Sequence, residues 1–313
     1  MRILQSESPR PLNLLAVGPN GLVAASCDII GVGGTVEVWT IITGGVQHRE
    51  LVSDRETRGL AFTPDARFLL VAEPQAIIAL DLTDDGSVPG PKPTLQYPEL
   101  ALSADGRHLL VTEALGSQGY VALLAMEEGP AFRTLWSEGP RADAWFKLPA
   151  ISLDGSRCAV ARRGSYSGGE TIQVRDTRSG EVQCSIQSDP ADLACQLAFS
   201  ADGSTLLVRR NGRTVQLFDT AKELFDAAKE KATGELVHPR RPYVTSMAVH
   251  PGGALACART DGTVTFWNID ERTPTRTLDW KAGRLVSVAF SADGTLGAAG
   301  TEDGKIVVWD VDV

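Results

Sequence analysis

One short polar turn recurs down this chain and constrains the fold more than any other feature. Asn20-Gly21, Asp65-Ala66, Asp105-Gly106, Asp154-Gly155, Asp202-Gly203, Gly252-Gly253 and Asp293-Gly294 are spaced by 45, 40, 49, 48, 50 and 41 residues. Such a dipeptide between alternating apolar runs is a strong hairpin signal, because the tight turn needs positive φ and glycine adopts it at little cost. Seven turns at a period near 45 residues predict seven copies of one supersecondary unit.

Each unit reads as four strands. A first strand such as Val286-Ser287-Val288-Ala289-Phe290 or Gln196-Leu197-Ala198-Phe199 leads into the turn. A second follows it, as in Phe68-Leu69-Leu70-Val71 or Leu206-Leu207-Val208. Third strands include Val36-Glu37-Val38-Trp39, Thr214-Val215-Gln216-Leu217-Phe218 and Ile306-Val307-Val308-Trp309. A more polar fourth precedes the next unit, for example Arg133-Thr134-Leu135-Trp136 and Thr275-Arg276-Thr277-Leu278. Helical periodicity occurs once, over Ala221 to Ala232, where Leu224, Phe225 and Ala228 form an apolar stripe. That segment reads as a decorated loop docked on the fifth unit or as a helix for a partner.

The last unit, Val286 to Gly294 and then Thr301-Glu302-Asp303-Gly304-Lys305-Ile306-Val307-Val308-Trp309-Asp310, closely resembles a WD repeat. The sixth, ending Thr260-Asp261-Gly262-Thr263-Val264-Thr265-Phe266-Trp267-Asn268, is nearly as similar. In the others the Trp-Asp position is Trp39-Thr40, Leu80-Asp81, Leu124-Ala125, Arg175-Asp176 and Phe218-Asp219. The Gly-His pair frequent in that family is missing, with Lys281 where the last histidine would stand, so the family's buried His–Ser/Thr–Asp–Trp chain is not available here. The resemblance implies an all-β, seven-bladed β-propeller of four-stranded antiparallel blades. It places the blades near 11–51, 57–97, 98–136, 144–187, 193–238, 243–279 and 285–313 as a single domain. The last blade then lacks an outer strand, and Arg2-Ile3-Leu4-Gln5 is the expected closing strand, since an unpaired edge would expose a row of peptide groups.

Composition narrows the class. Hydrophobic residues make up 43% of 313, enough for a sizeable core and too many for a disordered chain. No apolar run approaches membrane-spanning length, and the run Leu12 to Val17, interrupted by Asn13, is too short for a signal-peptide core. Cys27, Cys158, Cys184, Cys195 and Cys257 are odd in number and lack C-x-x-C spacing, a pattern suited to a reducing cytoplasm rather than to disulfides or structural zinc. The net charge of −9 argues against general nucleic-acid binding. Nothing demands an oligomer, so a monomer is the default, with membership of a larger complex open.

Catalytic motifs are sparse. His48, His108, His238 and His250 fall in different units without metal-ligand spacing and read as surface or turn histidines. Gly164 to Gly169 lacks the central serine of a nucleophile elbow. Gly31-Val32-Gly33-Gly34 lies between strands with no helix to hold a phosphate. Asp84-Asp85-Gly86 and Glu127-Glu128-Gly129 read as solvated turns. No cofactor and no metal is expected.

Register points elsewhere. Counting from each turn to the end of the second strand gives Asp28, Glu73, Glu113, Arg162, Arg210, Thr260 and Thr301 around one mouth of the channel. Arg209 and Arg259 precede two of these positions, and loops on the same face add Arg163, Arg213, Arg240 and Arg241 with Trp145, Phe146, Tyr166 and Tyr243. The expected face is bipolar, with arginines over blades four to six and acids over blades one to three. These charges either pair with one another across the channel, hold a small molecule, or dock a partner. Arginine and aromatic residues favour interface hot spots, and a guanidinium fork suits carboxylate or phosphate.

The resemblance implies a non-enzymatic scaffold for protein partners, here one presenting an acidic or phosphorylated segment. Two alternatives stay open. One is a lactonase-like propeller using Glu73, Glu113, Arg162 and Arg210, tested by a screen on sugar lactones and esters. The other is nucleic-acid binding through the arginine arc, which predicts steep salt dependence.

Overall fold

The computed structural model describes residues 1–6, 9–29, 33–52, 57–84, 86–89, 95–113, 119–127, 131–142, 144–164, 169–189, 191–210, 214–220, 232–237 and 242–311, with backbone alone at 28, 29, 33, 48–52 and 86–89. The helical reading of 221–232 lies, but for Ala232, outside this set.

Blade one holds β2 (Leu14–Val17), β3 (Leu22–Ile29), β4 (Gly33–Thr40) and β5 (Val46–Val52) after the N-terminal β1 (Arg2–Gln5). Blade two holds β6 (Gly59–Phe62), β7 (Phe68–Glu73), β8 (Ala76–Asp81) and β9 (Gly86–Pro89). Blade three holds β10 (Pro98–Leu102), β11 (His108–Glu113), β12 (Gly119–Met126) and β13 (Phe132–Arg141). Blade four holds β14 (Ala144–Ile151), β15 (Arg157–Gly164), β16 (Glu170–Asp176) and β17 (Val182–Gln187). Blade five holds β18 (Ala194–Phe199), β19 (Thr205–Arg210), β20 (Thr214–Asp219) and β21 (Gly234–Val237). Blade six holds β22 (Val244–Val249), β23 (Leu255–Arg259), β24 (Thr263–Asn268) and β25 (Thr273–Asp279). Blade seven holds β26 (Leu285–Phe290), β27 (Leu296–Thr301) and β28 (Lys305–Asp310), with β1 as its outer strand.

The molecule is a seven-bladed β-propeller of four-stranded antiparallel sheets. The innermost strands β2, β6, β10, β14, β18, β22 and β26 touch in ring order, and β26 returns to β2. Closure follows the expected route. β1 pairs antiparallel with β28 in the register Arg2↔Val308 to Gln5↔Lys305. Leu4 is buried there beside Ile306 and Val308, in a cluster that continues through Leu12, Val23 and Trp39 of blade one. The Ser287 hydroxyl donates to the Leu12 carbonyl at 2.6 Å, a second tie across the same seam.

The turns are held by their own side chains. In blades three, four, five and seven a serine hydroxyl donates at 2.6 Å to the aspartate two residues on, as in Ser103–Asp105, Ser152–Asp154, Ser200–Asp202 and Ser291–Asp293. The same oxygen accepts the N–H five residues on, from His108, Arg157, Thr205 and Leu296, which locks the hairpin. Blade six substitutes His250. Its Nδ1 accepts the Gly252 N–H at 2.9 Å, so Nε2 carries the proton and donates to Gly294 O at 2.8 Å in blade seven. Between blades the buried apolar residues form one cluster per interface, such as Ile172, Ile186, Leu206 and Phe218 between blades four and five.

Candidate functional site

Two cavities share the central channel. The one at the Asp-Gly end, about 610 Å³, is walled by apolar residues of the inner strands, including Leu15, Leu60, Leu197, Phe199 and Phe290. The other, about 490 Å³, lies toward the opposite mouth, where inner strands begin and second strands end. Arg58, Glu99, Gln196, Arg209, Ser246 and Ser287 give it a polar lining.

Bulges between the first two strands of blades four to seven interrupt the register beside this lining. Register shifts fall between Lys147 and Ala150, Ala194 and Gln196, Val244 and Ser246, and Leu285 and Ser287. Leu148, in the first of them, has φ of 57° and donates its N–H to Glu99 Oε2 at 2.6 Å across the blade interface. Arg58 stands 3.5 Å from the other oxygen of Glu99. Burial pushes the Glu99 carboxyl above its ordinary pKa, against the Leu148 bond and the neighbouring cations. Lys147 pairs at 2.9 Å with the fully buried Glu170, which also accepts the Ala194 N–H at 2.8 Å and so binds blade four to blade five.

The residues expected at the mouth take different positions. Arg163 is exposed at the end of β15, opposite Trp145 of β14, with Arg162 opposite the buried Phe146. Tyr243 is 54% exposed and joined to Thr260 through backbone and hydroxyl. Arg210 is turned inside its own blade, where Nε donates to Gln216 at 2.6 Å and stands 3.7 Å from Asp192. Arg259 is likewise buried, near Thr265 and 3.9 Å from Asp261. Arg209, one residue from Arg210 and therefore on the other face of β19, lines the channel cavity. Glu113 is buried, its carboxyl raised above the usual range by desolvation against a Gln96 N–H, and Glu73 is half-buried. Asp28 lies in β3 with only its backbone described. Tyr166, Arg213, Arg240 and Arg241 lie outside the described residues.

The model for the WD domain, G-beta repeat, matches residues 231–268 and 272–310. Two WD40 repeats are thus matched within a seven-bladed β-propeller. Its solved structural neighbours include the β-propeller domain of Cps50 (Swd1) from Myceliophteria thermophila, at 18% identity and a TM-score of 0.69, covering 99% of this chain and 100% of that one. No curated protein matches the sequence. The matched segments span β21–β24 and β25–β28, so each runs from the outer strand of one blade through the three inner strands of the next, and they keep Trp267 and Trp309. In blade four Arg175 occupies the tryptophan position, buried against Trp136 and Phe146 and paired with Glu138 at 2.5 Å.

WD40 propellers are typically protein-interaction scaffolds. The expected ring follows the second strands, whereas Arg58, Glu99 and Gln196 line the channel at or just before the first strands. The signal for them is a count backward from the turn, seven residues to Arg58 from Asp65, and six to Glu99 and Gln196 from Asp105 and Asp202. Among the described residues no helix is long and apolar enough to cross a membrane. Cys158 and Cys257 are buried thiols pushed up to about 12 by desolvation, which makes them inert packing residues.

Proposed function

We propose that the protein is a non-enzymatic scaffold that docks an acidic or phosphorylated segment of a protein partner on the mouth where the inner strands begin. The observation that carries this reading is the exposure of Arg163 and Tyr243 at the strand ends of that mouth, together with a polar cavity lined by Arg58 and Arg209. Trp145 and Arg162 flank Arg163, and Tyr166, Arg213, Arg240 and Arg241 are assigned to the same rim from their places in the sequence. Arg210 and Arg259 support the rim from inside their blades through Asp192 and Asp261 rather than by contact with a partner. Asp28, Glu73 and Glu113 on the opposite arc take basic groups of the same segment.

The test is affinity capture of the intact protein from its native cells, run beside the double variant R162E/R163E. Wild type recovers a partner that carries an acidic or phosphorylated stretch, and the variant, folded by circular dichroism, loses it. Equal recovery by both proteins removes this face as the docking surface.

A further inference from the structure

We propose that Arg209 anchors a carboxylate-binding site inside the channel, and that the carboxylate comes from an acidic side chain of the docked segment. The inference rests on the docking reading above and names the group that enters the channel.

Among the described charges that line this cavity, Arg209 alone has no charged partner. Arg58 faces Glu99 at 3.5 Å. Arg209 has only neutral oxygens around its guanidinium: Gln196 Oε1 at 3.3 Å, the Val244 carbonyl at 3.4 Å and the Cys195 carbonyl at 3.5 Å. All three lie at the long end of hydrogen-bond range. No carboxylate among the described residues stands within 4.0 Å of it. A guanidinium cannot shed its proton near neutral pH, so its burial beside Cys195 and Cys257 is a standing desolvation cost. An anion delivered to the fork relieves that cost and forms charge-assisted bonds in place of long neutral ones.

The surroundings select a planar monoanion. Gln196, which holds Arg209, is itself clamped on Met247: its Oε1 accepts the N–H at 2.9 Å and its Nε2 donates to the carbonyl at 2.7 Å. Arg209 is therefore positioned before any ligand arrives. The Ser287 and Thr245 hydroxyls already donate to the carbonyls of Leu12 and Ala258, which leaves fewer donors in the wall for a phosphate's oxygens. Glu99 in the same cavity opposes a second negative charge. The 490 Å³ volume accepts a side chain on a peptide, and it lies toward the strand ends that carry Arg163 and Tyr243.

The test uses the full-length chain and fluorescein-labelled hexaglutamate at low salt, read by fluorescence anisotropy with hexaglutamine as control. The chain's charge of −9 disfavours general association with this probe, so binding reports a local site. Hexaglutamate binds, and R209Q weakens it at least about tenfold, while R209K, which keeps the charge without the fork, weakens it by a smaller factor. Cys195 lines the same cavity, and its alkylation in the wild-type protein slows when hexaglutamate is bound; this arm needs no variant and decides the question should R209Q not fold. If R162E/R163E loses the peptide while R209Q and R209K keep it, or if Cys195 reacts at an unchanged rate with peptide bound, the channel site is overturned and the docking face stands. If neither pair of substitutions matters, both readings fall.

Discussion

Ser200 and Asp202 hold their turn through a hydroxyl and a carboxylate that need each other. The hydroxyl donates to Asp202 Oδ1, and the same carboxylate accepts the Ser204 N–H at 3.1 Å. These bonds favour the ionised form, so Asp202 and its counterpart Asp293 sit below the ordinary carboxylate pKa, led in each case by the serine. Asp81 goes furthest, down to about 2, chiefly through the Thr83 hydroxyl and N–H with Arg67 adding to them. A carboxyl depressed in the folded state contributes stability that is present above its unfolded pKa and is lost as pH falls through the folded one. For Asp81 that window runs from 3.8 down to about 2. Below about pH 5 the melting temperature should fall steeply toward pH 2, with D81N falling less over that interval. A D81N curve parallel to wild type would remove the carboxylate from the account.

Strand β1 turns one peripheral segment into a structural necessity. It contributes the outer ladder of blade seven and the buried Leu4, and its neighbour Ser6 donates its N–H to Gly304 O at 2.8 Å. Truncating a buried leucine costs about 2–5 kcal/mol, and deleting residues 1–8 forfeits the ladder as well. At about 2.1 cal/mol/K of unfolding entropy per residue, each kcal/mol moves the midpoint of a 313-residue chain by roughly 1.5 °C. The deletion should lower the melting temperature by about 8 °C or more, and L4A by about 3–8 °C, both read by circular dichroism. An unchanged melt would mean that β1 is dispensable to closure. This strand was legible from the sequence because the period left its last unit one strand short. The hairpins were legible for a local reason, since Asp-Gly turns need positive φ and their glycines adopt it, as Gly203 does at 71°. The channel wall was less so. Whether Arg209 or Arg210 faces the cavity depends on strand alternation and on the bulge at Cys195, and a bulge shifts register without leaving a mark in the residue pattern.

The ring as a whole distributes its core between blades rather than within them. Leu110 packs with Phe146 and Val160 between blades three and four, and Leu207 packs with Met247 and Trp267 between blades five and six. A blade separated from its neighbours therefore exposes two apolar faces, and closure through β1 leaves no blade with a free face. Open repeat arrays unfold from their ends because terminal units lack one neighbour, and closure removes that weak point. The expected outcome is a single calorimetric transition for the full chain. L110A and L207A, far apart on the ring, should each lower that same transition by about 3–8 °C without splitting it, and together they should lower it by close to the sum. Two resolved peaks in either variant would show that the blades form separate cooperative units, and the ring would then be a chain of neighbours held at their seams.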